Sequence, residues 1–134
     1  MNEEIRTLVR YRLERAFETI VEARLLLAGG HTNTYVNRLY YACFYAVSAL
    51  LLLHDKSFAK HSGLRSAFHR EFVRSGMVSK ELGHLYDRLF DNRQKADYAD
   101  LVTFSPEDVS PWLDESVEFV RIIAGLAENE MTLR

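Results

Sequence analysis

The sequence has few of the residues that interrupt or cross-link a polypeptide chain. Its 134 residues include two prolines, six glycines and one cysteine, Cys43. Because proline and glycine form most tight turns, this scarcity disfavours a sandwich or barrel of many short strands. A single cysteine excludes an internal disulfide, and its apolar neighbours favour a small core residue over a reactive thiol.

The sequence also lacks a strong charge of one sign and a long uninterrupted apolar segment. The net charge of −2 gives no global basic field that would concentrate nucleic acid. The longest apolar run, residues 39–53, falls short of the roughly 20 residues that span a bilayer. The first residues alternate in charge and do not resemble a signal peptide. We therefore expect one domain, residues 1–134, in the cytoplasm and without a membrane segment.

Hydrophobic periodicity predicts five helical segments and no strand. Their approximate ranges are 2–28, 33–54, 61–74, 80–98 and a last helix that begins at Ser105-Pro106 or at Ser110-Pro111. Serine followed by proline is typical of a helix N-terminus, so the sequence leaves both starts open. Helices with short connections pack as antiparallel neighbours, and the fold class is therefore all-α, an up-and-down bundle of about five helices.

The second predicted helix is apolar on almost every side, from Tyr35 to Leu53. Such a helix is either buried in the middle of a bundle or shared with another chain. We expect that four neighbours cannot cover all of it. The sequence therefore predicts a homodimer.

Signatures of metal binding and of common catalytic centres are missing. No glycine-rich phosphate loop or paired cysteines occur, and no two of the five histidines are three or four residues apart. His61 and His69 are two helical turns apart, roughly 12 Å, which is too far for one zinc ion. We expect no metal and no cofactor.

A polar stripe on the fourth helix consists of His84, Asp87 and Asp91. A histidine beside two carboxylates is able to transfer protons. The alternative is a solvated face in which the carboxylates pair with Arg88, and we favour this alternative.

The polar segment 91–100 follows the apolar part of the fourth helix. Arg93 and Asp97 are four residues apart, so they would form an ion pair that ends a helix. The further polar groups and Tyr98 favour a functional site instead, and both interpretations stay open. Arg38 is a cation at the start of the apolar second helix, where an arginine binds a carboxylate or a phosphate.

Three segments together resemble the HEPN domain family, the helical bundles found in prokaryotes beside minimal nucleotidyltransferases. They are residues 37–46 (NRLYYACFYA), 60–64 (KHSGL) with Phe68, and 89–98 (LFDNRQKADY). The resemblance covers nearly the whole chain. It implies a bundle of four to five helices that dimerises, with a polar cleft at the dimer interface.

Many HEPN proteins are metal-independent ribonucleases, often toxins, that use an arginine and a histidine spaced as R-x4-6-H. Here Arg93 matches the arginine, but Tyr98 stands five residues later and no histidine follows. A tyrosine with a pKa near 10 is a poor general base at neutral pH. His61 would supply the imidazole if folding or dimerisation brings it near Arg93.

Three functions follow as hypotheses. The first is a nucleotide- or RNA-phosphate-binding component of a toxin–antitoxin system, or a nucleotidyltransferase partner, whose homodimer presents a set of ligand-binding residues. The second is a metal-independent ribonuclease with Arg93 and His61 as catalytic residues. The third is a protein-interaction module without a small ligand. The ligand-binding set is Arg38, Tyr41, Arg93, Asp97 and Tyr98.

Overall fold

The protein is all helical in the part that the structure, a computed structural model, describes: residues 2–98, 100 and 102–134. This part contains six α-helices, one π-helical turn and no strand. The helices are α1 (Glu3–Ala28), α2 (Thr32–Leu53), α3 (His61–Phe68), α4 (Lys80–Asp97), α5 (Pro106–Val109) and α6 (Pro111–Leu133); the π turn is His69–Val73. The predicted all-α bundle is confirmed.

The first helix begins and ends at residues suited to those positions. The side chain of Asn2 accepts a hydrogen bond from the Glu4 amide at 2.7 Å, and two glutamates in the first turn suit the positive end of the helix dipole. After Ala28 the chain reverses through Gly30, whose φ of 80° is accessible to glycine without strain. The reversal places α2 antiparallel against α1.

The second helix forms the centre of the bundle. Fourteen of its 22 residues are buried, and α1, α4 and α6 surround it. The expectation that neighbouring helices cannot cover it is therefore wrong for most of its circumference. One strip stays partly exposed, formed by Tyr41, Phe44 and Tyr45. A second copy could shield α2 only along this strip.

The length and composition of α2 also satisfy the requirements of a membrane-spanning helix, because the helix begins at Thr32, seven residues before the apolar run, and ends with it at Leu53. In the bundle, however, 67% of its most apolar window is buried against other helices. Packing in the core accounts for its composition.

The third helix continues directly into the π turn, so the predicted helix 61–74 is confirmed with one irregularity. The Arg74 amide donates to the His69 carbonyl, five residues earlier, at 2.8 Å. The turn packs closely on Gly83 of α4, where a Cβ atom would lie 3.1 Å from the His69 ring and from a Val73 methyl group. Glycine at that position makes the close approach possible.

Both predicted starts of the last helix are used. Pro106 begins the short α5, and Pro111 begins α6, so neither proline removes a hydrogen bond from a helix interior. The Tyr35 hydroxyl donates to the carbonyl oxygen of Val109 at 2.8 Å. This bond satisfies the end of α5 and ties it to the core helix α2.

Candidate functional site

The structure brings both His61 and Arg93 into contact with one buried tyrosine, Tyr40. Tyr40 comes from α2, His61 is the first residue of α3, and Arg93 lies in α4. The Tyr40 hydroxyl and His61 Nδ1 are 2.8 Å apart, and the Arg93 guanidinium carbon lies 4.8 Å from the centre of the Tyr40 ring. Three helices separated in sequence thus place an imidazole and a guanidinium at one position.

The surroundings of His61 favour its neutral form. Burial and, second, the positive charge of Arg93 lower the pKa of the His61 imidazole below its ordinary value. Its ring stacks on Phe44 with centroids 4.4 Å apart, which fixes the ring plane. A neutral imidazole at neutral pH is able to accept or to donate a proton.

Tyr40 holds the imidazole by its hydroxyl group. Burial raises the pKa of Tyr40 to about 12, so the hydroxyl keeps its proton at neutral pH. It is therefore able to donate to Nδ1, which leaves Nε2–H as a proton donor. In the other tautomer Nδ1–H donates to the hydroxyl and Nε2 becomes a base. Both arrangements leave Nε2 as the nitrogen available for chemistry.

Arg93 is a cation without a carboxylate partner in the described part of the chain. The proposed ion pair with Asp97 is absent there; Asp97 instead accepts a hydrogen bond from the Asn37 side chain at 2.7 Å. Arg93 Nε is buried and has no hydrogen-bond partner, while the guanidinium carbon lies 5.7 Å from the Phe90 ring centre. A buried donor without a partner is costly, so an anion bound here would gain a charge-assisted hydrogen bond.

A second group of polar residues lies beside the first, at the start of α2. Arg38 donates two hydrogen bonds to the Asn37 side-chain oxygen, at 2.8 and 3.0 Å, and Asn37 in turn donates to Asp97. Glu22 of α1 lies 3.6 Å from Arg38. Arg38 is therefore partly neutralised, in contrast to Arg93.

Tyr41 connects the two groups. Its ring centroid lies 5.2 Å from that of Tyr40 and 5.8 Å from that of His61, and the Arg38 guanidinium carbon lies 5.0 Å from it. The predicted residues Arg38, Tyr41, His61, Arg93 and Asp97 thus form one continuous region. Tyr98 does not join them, because its side chain is 65% exposed beyond the end of α4.

Three residues of the site escaped the sequence analysis: Asn37, Arg65 and Phe90. The Arg65 guanidinium carbon lies 4.0 Å from the Phe90 ring centre, on the same ring that Arg93 contacts. A usable signal existed in the spacing, since Arg65 is one helical turn after His61 and Phe90 is one turn before Arg93.

The polar stripe of α4 does not pair as the sequence predicts. Arg88 binds Glu115 of α6 at 3.2 Å instead of a neighbouring aspartate. Asp87 accepts from His69 Nε2 at 2.9 Å, and Asp87 and Asp91 lie 3.8 and 3.7 Å from Arg65. The carboxylates therefore connect α4 to α3 and the π turn.

Among the described residues, no three histidine, cysteine, aspartate or glutamate side chains converge on one point.

Comparison with known proteins finds similarity along nearly the whole chain. The model of the HEPN domain matches residues 9–126. A protein of Thermotoga maritima named "UPF0332 protein" is 46% identical over 96% of this chain and 97% of its own. Two proteins of Methanocaldococcus jannaschii are also similar. The one named "Putative toxin MJ0142" is 29% identical over 75% of this chain and 74% of its own. The one named "Putative toxin MJ0605" is 32% identical over 73% of each chain. The chain belongs to the HEPN domain family.

Proposed function

We propose that this protein is a HEPN-type component of a toxin–antitoxin system that binds a phosphate group of a nucleotide or an RNA at Arg93. One observation carries the proposal: the Arg93 guanidinium is held against Tyr40, lacks a carboxylate partner among the described residues, and has a buried Nε–H without an acceptor. Phosphate oxygens match the fork of donors that a guanidinium presents.

Support for a toxin-like role comes from the relatives. Two of them carry the word toxin in their names, and each aligns with about three quarters of this chain. The family resemblance adds a nucleotidyltransferase as the partner protein, and the proposed place of action is the cytoplasm. Co-expression of a tagged chain with the nucleotidyltransferase of a neighbouring gene tests the partner, and we expect the two proteins to elute together.

The homodimer is part of the same proposal. The partly exposed strip of α2 contains Tyr41 and Phe44, which contact His61 directly. A second copy that packs on the Phe44 and Tyr45 part of this strip would leave the Tyr41 ring open and enclose the polar site from one side. The ligand would then bind in a cleft between two subunits.

Titration of AMP, ATP and a fluorescein-labelled RNA decamer tests the role of Arg93. We expect Arg93→Ala to weaken binding by at least about tenfold, the value of one charge-assisted hydrogen bond. The control is Arg24→Ala, which changes an exposed arginine on α1. This variant should bind the nucleotides and the RNA as tightly as the wild type does. Equal binding by wild type and Arg93→Ala, or binding by neither, would contradict the proposal and favour the interaction module.

A second candidate function is metal-independent RNA cleavage. It is favoured by the position of His61, which is neutral near pH 7 and shares Tyr40 with Arg93. In that reaction His61 Nε2 would transfer a proton, and Arg93 would stabilise charge on the phosphate. We expect cleavage in the presence of EDTA, its loss in His61→Ala, and wild-type rates in His31→Ala, which changes an exposed histidine. Cleavage that persists in His61→Ala would rule out this mechanism.

A further inference from the structure

A row of basic side chains follows the same helix that begins with His61. Arg65 lies four residues after His61, His69 four residues after Arg65, and Arg74 five residues after His69. In an α-helix the residue in line with His69 would be Val73. The π turn shifts the register by one residue and places Arg74 there, with its amide bonded to the His69 carbonyl at 2.8 Å.

The far part of this row lines a cleft of about 460 Å³. Its lining residues are Arg65, Ser66, His69, Arg70, Arg74 and Asp87. Three arginines thus face one carboxylate, so the cleft is positively charged even with His69 neutral. The chain as a whole is slightly acidic, with a net charge of −2, which makes this local excess of arginine distinctive.

Arg65 lies near two carboxylates, Asp87 at 3.8 Å and Asp91 at 3.7 Å, but the other two arginines of the cleft are only weakly neutralised by the protein itself. Asp87 is already occupied by His69 at 2.9 Å, with Arg65 at 3.8 Å. Arg70 is 3.8 Å from Glu71, beyond hydrogen-bonding distance, and Glu71 binds Lys56 at 2.7 Å. Arg74 is exposed and has no carboxylate partner in the described part of the chain. Arg70 and Arg74 are therefore free to bind an external anion.

The cleft is linked to the site at Arg93 through the side chain of Phe90. The guanidinium carbons of Arg65 and Arg93 lie 4.0 and 5.7 Å from the centre of one ring, that of Phe90. Arg65 also lines the cleft, so it belongs to both regions. From Arg65 the helix carries basic groups for nine residues, about 13 Å, which exceeds the size of a single phosphate.

We propose that the arginine cleft binds the phosphodiester backbone of a single-stranded RNA whose bound phosphate lies at Arg93; the proposal rests on the proposed function. A mononucleotide occupies only the Arg93 end, whereas a longer strand also reaches Arg70 and Arg74. The partly exposed ring of Tyr41, beside His61 and outside the groove lined by Phe44 and Tyr45, is available for stacking with an unpaired base, which favours a single strand over a duplex.

Salt-dependent binding of labelled RNA tests this path. The measurement compares AMP, a single-stranded RNA decamer, the same sequence as DNA, and the RNA duplex, each titrated from 50 to 200 mM salt. We expect the double variant Arg70→Ala/Arg74→Ala to bind the RNA decamer about tenfold more weakly. The slope of log K against log salt should fall by about 1.4, since each contact with a single strand contributes about 0.7. Binding of AMP should be unchanged.

The control is Arg10→Ala/Arg24→Ala, which removes two exposed arginines from α1 and leaves the cleft intact. An unchanged decamer affinity and salt slope in the cleft variant overturns the RNA path, and so does an equal loss in the control. In both cases, AMP binding that depends on Arg93 still supports the proposed function. If wild type binds AMP but no decamer, only the RNA path is wrong; if it binds neither, both proposals are. DNA or duplex binding as tight as the RNA decamer contradicts the choice of single-stranded RNA.

Discussion

At the scale of single residues, Tyr40 organises the site. It is fully buried, bonds His61 through its hydroxyl, and supports the Arg93 guanidinium on its ring. Its neighbour Tyr41 is partly exposed. Among the described residues, Tyr41 contacts His61 only through its ring and not through its hydroxyl group. The two adjacent tyrosines therefore separate the effect of the hydroxyl from that of the ring.

We expect Tyr40→Phe to lower the free energy of unfolding by about 0.5–1.5 kcal/mol, because it removes one hydrogen bond and keeps the packing. Tyr41→Phe should change the free energy of unfolding by less than about 0.5 kcal/mol, as is usual where no buried bond is lost. Urea denaturation followed by circular dichroism measures both values. Equal effects of the two substitutions would show that the Tyr40–His61 bond contributes nothing to stability.

The pKa of His61 reports the proximity of Arg93. Burial is the first cause of its lowered value and the Arg93 charge the second, so Arg93→Ala should raise the pKa while burial keeps it below its ordinary value. NMR titration of the imidazole protons measures the change, and Arg24→Ala should leave the pKa as it is. An unchanged pKa in Arg93→Ala would mean that the guanidinium does not act on His61.

The same shift predicts how stability depends on pH. The unfolded chain binds a proton at His61 near pH 6.5, whereas the folded protein does so only at a lower pH. The contribution of neutral His61 to the free energy of unfolding is therefore fully present above about pH 6.5. It is lost as the pH falls toward the pKa of His61 in the folded protein. Compared with wild type, His61→Gln should lose less stability between pH 7 and pH 5.

At the scale of helices, periodicity identified the elements because each buries one apolar stripe, as in α1 and α4. It was unable to show which residues meet between helices, and for that reason it left the Arg93–Asp97 pair open and missed Arg65. The contact of Arg93 with Tyr40 joins positions 53 residues apart, and no local pattern encodes it. The π turn also has no signal in the apolar pattern, since it depends on the packing against Gly83.

Two helical glycines test that packing. At Gly83 a Cβ atom would lie 3.1–3.2 Å from the His69 ring and two Val73 methyl groups, whereas at Gly125 of α6 it would meet nothing within 4 Å. We expect Gly125→Ala to stabilise the protein by about 0.5–1 kcal/mol through helix propensity. Gly83→Ala should destabilise it, because overpacking costs about 1–3 kcal/mol and outweighs the same gain. Thermal unfolding measures the stability of both variants. If both are more stable than the wild type, the π turn accommodates the added methyl group without cost.

At the scale of the whole molecule, an apolar opening lies beside the exposed strip of α2. It is a groove of about 360 Å³ whose lining includes Leu8, Tyr11, Phe44, Tyr45 and Phe58. Leu8, Tyr11 and Phe58 are 39%, 59% and 37% exposed, which is high for large apolar side chains. The homodimer would bury this groove, and its position next to His61 would place the polar site at the subunit boundary.

A charge in the groove should therefore separate the subunits. We expect the wild type to have twice the mass of one chain in light scattering, and Tyr11→Glu to have the mass of one chain, because a carboxylate buried at an apolar interface is costly. Tyr11 is mostly exposed, so the fold of the single chain should survive. Leu25→Glu is the matched control: Leu25 is 70% exposed on the same helix, about 21 Å further along its axis, and outside the groove. It should remain dimeric. A wild-type protein with the mass of one chain would exclude the dimer, and the RNA would then have to bind Arg93 within a single subunit.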